Sequence, residues 1–299
     1  MTRVLVTGAG GQLGRCLSVT VPSTVDGVFC HRDQFDLSAP ETLQAKIESL
    51  QPDVVINCAA YTNVDGAEAE PAQADLINHL GVAALARVCQ QYSVKLIHVS
   101  TDFVFDGNAS TPYQIQAITA PEGEYGKSKW LGEQAVQETL PLTSLVIRTS
   151  WLYSEFGANF VKTMLRLFAT KENFQVVKDQ FGSPTYARGL AALIWHIVTS
   201  GKVDGGILHW SDAGVTNWFE FAEEIGRQGL QLGLIERMAE ITPTTAAEYG
   251  AAAPRPAYSA LECRETQTRH PDIRQVPWRD NLKQMLVHLQ LLDGTETGG

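Results

Sequence analysis

Along the first half of the chain, short apolar runs alternate with longer stretches that carry apolar residues every three or four positions. RVLVT (residues 3–7), GVFC (27–30), DVVINCAA (53–60), VKLIHVS (94–100) and SLVIRTS (144–150) are rich in β-branched residues and bounded by turn formers. They predict five strands. Helical stretches lie between them near 12–20, 40–50, 67–91 and 124–138. Strands that are apolar on both sides and separated by helices predict a parallel sheet covered on both faces. This is the doubly wound α/β pattern, in which ligands bind beyond the carboxyl ends of the strands.

After residue 150 the rhythm loosens. Helices are expected near 158–170, 186–200, 216–229 and 278–292, with short extended pieces at FQVV (174–177) and GILHWS (206–211). The Pro/Ala-rich segment 242–263 reads as a long ordered loop, and the tail DGTETGG (293–299) as frayed. The expected organisation is a dinucleotide-binding domain over 1–152 and, over 153–299, mostly a smaller substrate-binding lobe. The 186–200 helix is expected to return to the first domain.

Composition leaves this picture in place and removes several function classes. The 299 residues are 44% hydrophobic and 19% charged, with a formal charge of -10. Such a balance argues against a sequence-independent nucleic-acid binder, which needs basic surface against phosphate. Five cysteines, odd in number and without a CxxC pair, read as reduced small hydrophobes rather than a disulfide or zinc frame. The start MTRVLVTGAG reaches glycine too early for a signal peptide, and no uncharged apolar run approaches membrane-spanning length. The expected protein is soluble and cytoplasmic.

Directly after the first strand comes TGAGGQLG, with Gly8, Gly11 and Gly14 in G-x-x-G-x-x-G spacing and Gln12 and Leu13 opening the helix. Small residues permit a tight strand-to-helix turn, and backbone N–H groups at the helix N-terminus can meet a dinucleotide pyrophosphate. The expectation is a Rossmann-like nucleotide site. At the end of the second strand, FCHRDQFD offers Arg32, which suits the 2′-phosphate of NADPH, while Asp33 keeps NADH open. Asp36 and Leu37 follow and are placed to frame the adenine.

The fourth strand ends in VSTDFVFDG, setting Ser100, Thr101 and Asp102 at the carboxyl edge of the sheet. Tyr125 and Lys129 lie one helical turn apart in YGKSK, on one helix face. Thr101, Tyr125 and Lys129 together are the parts needed to reduce a ketone with a nicotinamide. The tyrosine is the proton donor to the forming alkoxide. An adjacent ammonium draws its pKa down, and the threonine hydroxyl steadies the carbonyl oxygen. Lys129 also suits the nicotinamide ribose. Asp102 has two readings, orienting hydroxyls or capping the following turn.

TGAGGQLG, INCAAYTNVD, STDFVFDG, YGKSKWLGE, VIRTSWLY, DQFGSPT and RPAYSAL together resemble the extended short-chain dehydrogenase/reductases, and within them the dTDP-4-dehydrorhamnose reductases. The resemblance runs from residue 4 to about 290. It implies NADPH-dependent reduction of the C4 ketone of a dTDP-6-deoxysugar, with Thr101, Tyr125 and Lys129 catalytic and Ala59, Ala60 and Tyr61 along the cofactor. Val64 and Phe103 are expected to wall the sugar pocket, Phe103 departing from the tyrosine usual in the family. Trp151 reads either as a platform for the sugar or as core packing, and Arg255 either as a diphosphate clamp or as a solvated arginine. Where family members place glutamates that hold magnesium between subunits, this chain has Cys16 and Arg188. No metal site is therefore expected, and the chain is read as a monomer or weak dimer. Two alternatives stay open: a non-catalytic nucleotide-binding regulatory subunit, and a reductase or epimerase of another NDP-sugar.

Overall fold

The computed structural model describes residues 1–296, with side chains through 292. Six strands form one parallel sheet: β1 (Thr2–Thr7), β2 (Val25–Cys30), β3 (Val54–Asn57), β4 (Lys95–Thr101), β5 (Ser144–Thr149) and β6 (Ile207–Trp210). Their order is β6-β5-β4-β3-β1-β2, so the chain reverses its direction of winding between β1 and β3. That reversal opens a crevice at the carboxyl edge. The longer helices are α1 (Gln12–Val19), α2 (Leu43–Leu50), α3 (Gly81–Gln91), α4 (Glu124–Thr139), α5 (Phe160–Thr170), α6 (Ala187–Thr199), α7 (Trp218–Gln231) and α8 (Trp278–Glu296).

β1 shows why its apolar run is unbroken. Val4 and Val6 join the core beneath α1 and α6, while Leu5 joins the one beneath α2 and α3, all three fully buried. Each such side chain contributes roughly 1.5–3 kcal/mol. A third cluster lies apart from the sheet, built from Val161, Met164 and Phe168 of α5, Phe221 and Ile225 of α7, and Leu282 and Met285 of α8.

Four expectations change. The strand at 206–211, counted with the smaller lobe, pairs with β5 from Ile207↔Val146 to Trp210↔Thr149 and completes the sheet. The helix expected over 67–91 is broken: Val64–Ala69, Pro71–Asp75, a π turn at Leu76–Leu80, then α3. Pro71 lacks the N–H that a continuous ladder needs, so it starts a new helix instead. The segment 242–263 is not loop throughout, since Glu240–Thr244 pairs with Asn173–Val177 and Ala246–Tyr249 is a capped helical turn. At the tail, α8 continues to Glu296, and the rest of DGTETGG lies outside the described residues.

α4 docks by an unusual face. It buries Gly126, Ser128, Lys129, Gly132, Glu133 and Val136, mostly small or polar groups. Such a face is stable only if its polar atoms are paired. Glu133 takes Arg148 of β5 through Nε at 2.9 Å and Nη2 at 2.7 Å, with both side chains almost fully buried. Arg148 is held further by Ile115 O at 3.4 Å and by the ring of Phe105.

Removing one member of a buried pair leaves the other charge uncompensated, at a cost of about 3–5 kcal/mol. Glu133→Ala is therefore expected to lower the unfolding free energy by that amount in urea titrations. A loss under about 1 kcal/mol would show that α4 is held by other contacts.

Candidate active site

The carboxyl edges of β1, β3, β4 and β5 open onto one cavity of about 760 Å³. At one end of it the chain turns sharply at Gly8, whose φ of 65° belongs to the left-handed region. A Cβ there would come within 2.7 Å of Ala59 N, so glycine alone brings β1 this close to the β3 loop. Gly11, Leu13 and Gly14 line the same end, as do Ala59 and Ala60. Gln12 also lines it, but its amide is spent on structure: it donates to Leu152 O at 3.3 Å and accepts from Asn159 Nδ2 at 2.9 Å. It thereby ties the glycine turn to the 152–159 segment.

Arg32, Asp36 and Leu37 line the far end of the cavity. The Arg32 guanidinium is 71% exposed and 3.5 Å from Asp36, free to meet an anion; Asp33 is exposed and outside the lining. Tyr61 is not brought to the cavity either. Its hydroxyl donates to Glu70 at 3.0 Å, and its backbone N and O are both held by buried Asn78 of the π turn.

Thr101, Tyr125 and Lys129 converge at the centre. Helix α4 approaches the Thr101 turn closely because Gly126 packs on the carbonyl oxygen of Phe103, where a Cβ would not fit. Ser128 holds the first turn of α4 to the π turn, donating to Tyr125 O at 2.9 Å and accepting from Asn78 at 3.1 Å. Burial pushes the Tyr125 hydroxyl up to about 12, against a lowering contribution from the Thr101 hydroxyl and a raising one from Asp102. Burial pulls Lys129 down to about 8, although Glu133 and Cys58 favour its charge. Its amine is bound to Val99 O at 2.7 Å and lies 3.5 Å from His98 Nε2. The ammonium expected to depress the tyrosine is thus anchored to β4, and burial governs the tyrosine instead.

Thr101, rather than Asp102, caps the short helical turn that follows: its Oγ1 accepts from Phe103 N at 3.2 Å and donates to Asp102 Oδ1 at 3.0 Å. Asp102 is 2% exposed, and its Oδ2 and the neighbouring Ser100 Oγ have no partner in the protein. Both line the cavity, so a polar ligand there would find two unmet groups.

The opposite wall holds Val64, Phe103, Trp151 and Arg255. Phe103 meets Tyr125 edge to face at 5.6 Å. Trp151 adopts φ 46°, a strained conformation for a side chain of this size, and one face is stacked on Trp218 at 3.5 Å. It both lines the cavity and packs on the third core, so the two readings of this residue do not exclude each other. Arg255 is not a free surface arginine: Nη2 donates to Asp65 at 2.9 Å, while Ala253 N donates to the other oxygen at 3.0 Å. That pairing ties the late loop to the helical turn Val64–Ala69. Sequence reading missed Trp218, Gln180 and Ser259, which line the cavity from three distant segments and carry no motif spacing.

The family model described as "RmlD substrate binding domain" matches residues 1–291. The chain belongs to this family. The dTDP-4-dehydrorhamnose reductase of Sinorhizobium fredii is 38% identical over 98% of this chain and 99% of its own. The Bacillus subtilis spore coat polysaccharide biosynthesis protein SpsK is also 38% identical, over 96% and 97%. The solved dTDP-4-dehydrorhamnose reductase of Bacillus anthracis, in complex with NADP, superposes with a TM-score of 0.89 at 36% identity, covering 96% of this chain and all of that one. No helix among the described residues is long and apolar enough to cross a membrane.

Cys16 lies in α1 near Glu155 and Arg188, and Arg188 Nε donates to Glu155 at 2.6 Å. The position that the family resemblance assigns to a metal-binding glutamate thus carries a cation already paired inside the chain.

Burial raises Asp102 from 3.8 to about 6, outweighing the lowering effect of the neighbouring Ser259 and Thr101 hydroxyls. The folded chain therefore binds this proton more tightly than the unfolded chain does. The penalty is absent below about pH 4 and complete above about pH 6. Asp102→Asn is expected to raise the unfolding free energy by on the order of 1–3 kcal/mol near pH 8, with the gain shrinking toward pH 4. Denaturant midpoints at both pH values check this; an equal gain at each would refute the titration as its cause.

Proposed function

We propose that this chain reduces the C4 ketone of dTDP-4-dehydro-β-L-rhamnose to dTDP-L-rhamnose, using NADPH. The observation that carries the reading is the convergence of Thr101, Tyr125 and Lys129 on the cavity that begins at the Gly8 turn. The residues fit a dinucleotide: Gly8 lets the chain turn tightly against the Ala59 backbone, and α1 opens with its first backbone N–H groups free of any side-chain cap. Gly11, Gly14, Ala59 and Ala60 would line it, with Arg32 at its 2′-phosphate. When bound, the nicotinamide supplies the hydride.

The chain supplies the proton and its placement. A ketone that accepts hydride becomes an alkoxide, far more basic than any phenol. A tyrosine held near 12 therefore still delivers its proton downhill. Its proton also stays in place at neutral pH, so the donor is always loaded. Thr101 holds the oxygen beside it. Thr101 and Lys129 are almost fully buried, and low dielectric strengthens polar contacts made there. We read Val64, Phe103 and Trp151 as the sugar wall, and Arg255 as a diphosphate ligand that exchanges Asp65 for phosphate. Residues 1–152 then form the dinucleotide half, joined by α6 and β6.

We further infer a chain that acts as a monomer or weak dimer without a bridging metal and engages neither nucleic acid nor membrane, in keeping with its charge and its internally paired Arg188. A retained catalytic trio favours an enzyme over a regulatory subunit.

Incubation with dTDP-4-dehydrorhamnose and NADPH is expected to oxidise the cofactor with accumulation of dTDP-L-rhamnose. Tyr125→Phe should lower kcat by roughly 100- to 10,000-fold and leave NADPH affinity within a few fold. Absence of turnover in the wild type refutes the reductase, and equal losses of rate and affinity in the variant refute the proton donor. Arg32→Ala should weaken NADPH by about tenfold or more, as expected for a lost charge-assisted contact to phosphate, and leave NADH nearly unaffected. An unchanged preference would remove Arg32 from the 2′-phosphate site.

A further inference from the structure

Three neighbouring strands carry polar residues in register where an apolar core is expected. Thr7 of β1 lies opposite Asn57 of β3, which lies opposite His98 of β4. Their side chains run as one hydrogen-bonded line across the sheet: Thr7 Oγ1 to Asn57 Oδ1 at 2.6 Å, then Asn57 Nδ2 to His98 Nδ1 at 3.0 Å. The line ends at His98 Nε2, 3.5 Å from the Lys129 amine. All four residues are at most 2% exposed.

The polarity of the line follows from its far end. Asn57 Oδ1 receives both the Thr7 hydroxyl and Ala59 N, so the carboxamide nitrogen must face His98. That nitrogen only donates, which makes His98 Nδ1 the acceptor. Burial and the neighbouring Lys129 keep the ring neutral. A neutral imidazole with an accepting Nδ1 carries its hydrogen on Nε2. This hydrogen points at Lys129. An ammonium has no lone pair to receive it, whereas a neutral amine does, and still has a hydrogen for Val99 O at 2.7 Å.

We propose that His98 is a positioning residue, its Nε2–H set by Thr7 and Asn57 so that Lys129 releases its proton more readily than burial alone would cause. The other titratable groups at the Lys129 amine are Glu133 one turn along α4 and Cys58 beyond β3, both of which favour the charged form, and Tyr125 one turn back. Glu133 is already engaged by Arg148. His98 on β4 is thus the neighbour that opposes the charge.

The tautomer is read directly from long-range 15N–1H spectra of the full chain labelled with 15N-histidine. The wild type is expected to show His98 as the Nε2–H form. Asn57→Asp should invert it to Nδ1–H, because a carboxylate accepts from both Thr7 and His98. An Nδ1–H wild type overturns the proposal. In the reductase assay, His98→Phe should move the basic limb of the kcat/KM profile upward by about one pH unit, as the opposing N–H is lost. Asn57→Asp should move it the same way. A limb that stays in place in folded variants that still bind NADPH also overturns it. The pH arm rests on Lys129 acting in the reduction proposed above. The tautomer arm does not, so failure of the reductase reading and failure of this one are told apart.

Discussion

The buried pair of Glu133 and Arg148 is the constraint on which the site depends. Tyr125 and Lys129 ride on α4, a helix whose inner face is too polar and too small to be held by hydrophobic contact alone. The pair fastens that face to β5 and leaves Gly126 against the Phe103 carbonyl and Gly132 against the π turn at Asn78. Each close approach needs glycine, and each would open if the ion pair shifted. The distances among Thr101, Tyr125 and Lys129 are consequences of this docking. An apolar helix face would have gripped the sheet as firmly, but it would have lacked the Ser128 hydroxyl that accepts from Asn78 and donates to Tyr125 O.

The same burial sets the chemistry. One physical cause, exclusion of water, raises Tyr125 to about 12 and Asp102 to about 6 and lowers Lys129 to about 8. Each shift is away from the charged form, as low dielectric demands. Tyr125 is thereby kept neutral, and Asp102 and Lys129 are brought close enough to neutrality to exchange a proton near the working pH, with stability reduced in exchange for pre-organisation. The strained Trp151 backbone and the unmet oxygens of Asp102 and Ser100 belong to the same pattern. A polar ligand in the cavity would meet both of those atoms.

Much of the fold was legible because a parallel sheet buries both faces of its strands. RVLVT could not be a surface strand, and β1 divides its residues between two cores. The glycine turn was legible for a similar reason, since only small residues let β1 approach Ala59. The trio at 101, 125 and 129 could be picked out because strand end and helical turn both have fixed periods. Where sequence reading fell short, the missing information was non-local. GILHWS has the composition of any short strand, and only its pairing with β5 places it in the main sheet. Tyr61 sat in the right motif, yet the π turn drew its backbone to Asn78 and its hydroxyl to Glu70.

By itself, then, the sequence determined the doubly wound class, the glycine turn after β1 and the identity of the residues at the carboxyl edge. All three are governed by periodicity and by the conformational range of glycine, which act within a few residues. Tertiary structure alone decided that Lys129 lies against His98 and Val99, that Trp151 stacks on Trp218, and that Arg255 is strapped to Asp65. Those contacts join residues between 30 and 190 positions apart, and they follow from strand register and helix docking rather than from any local spacing.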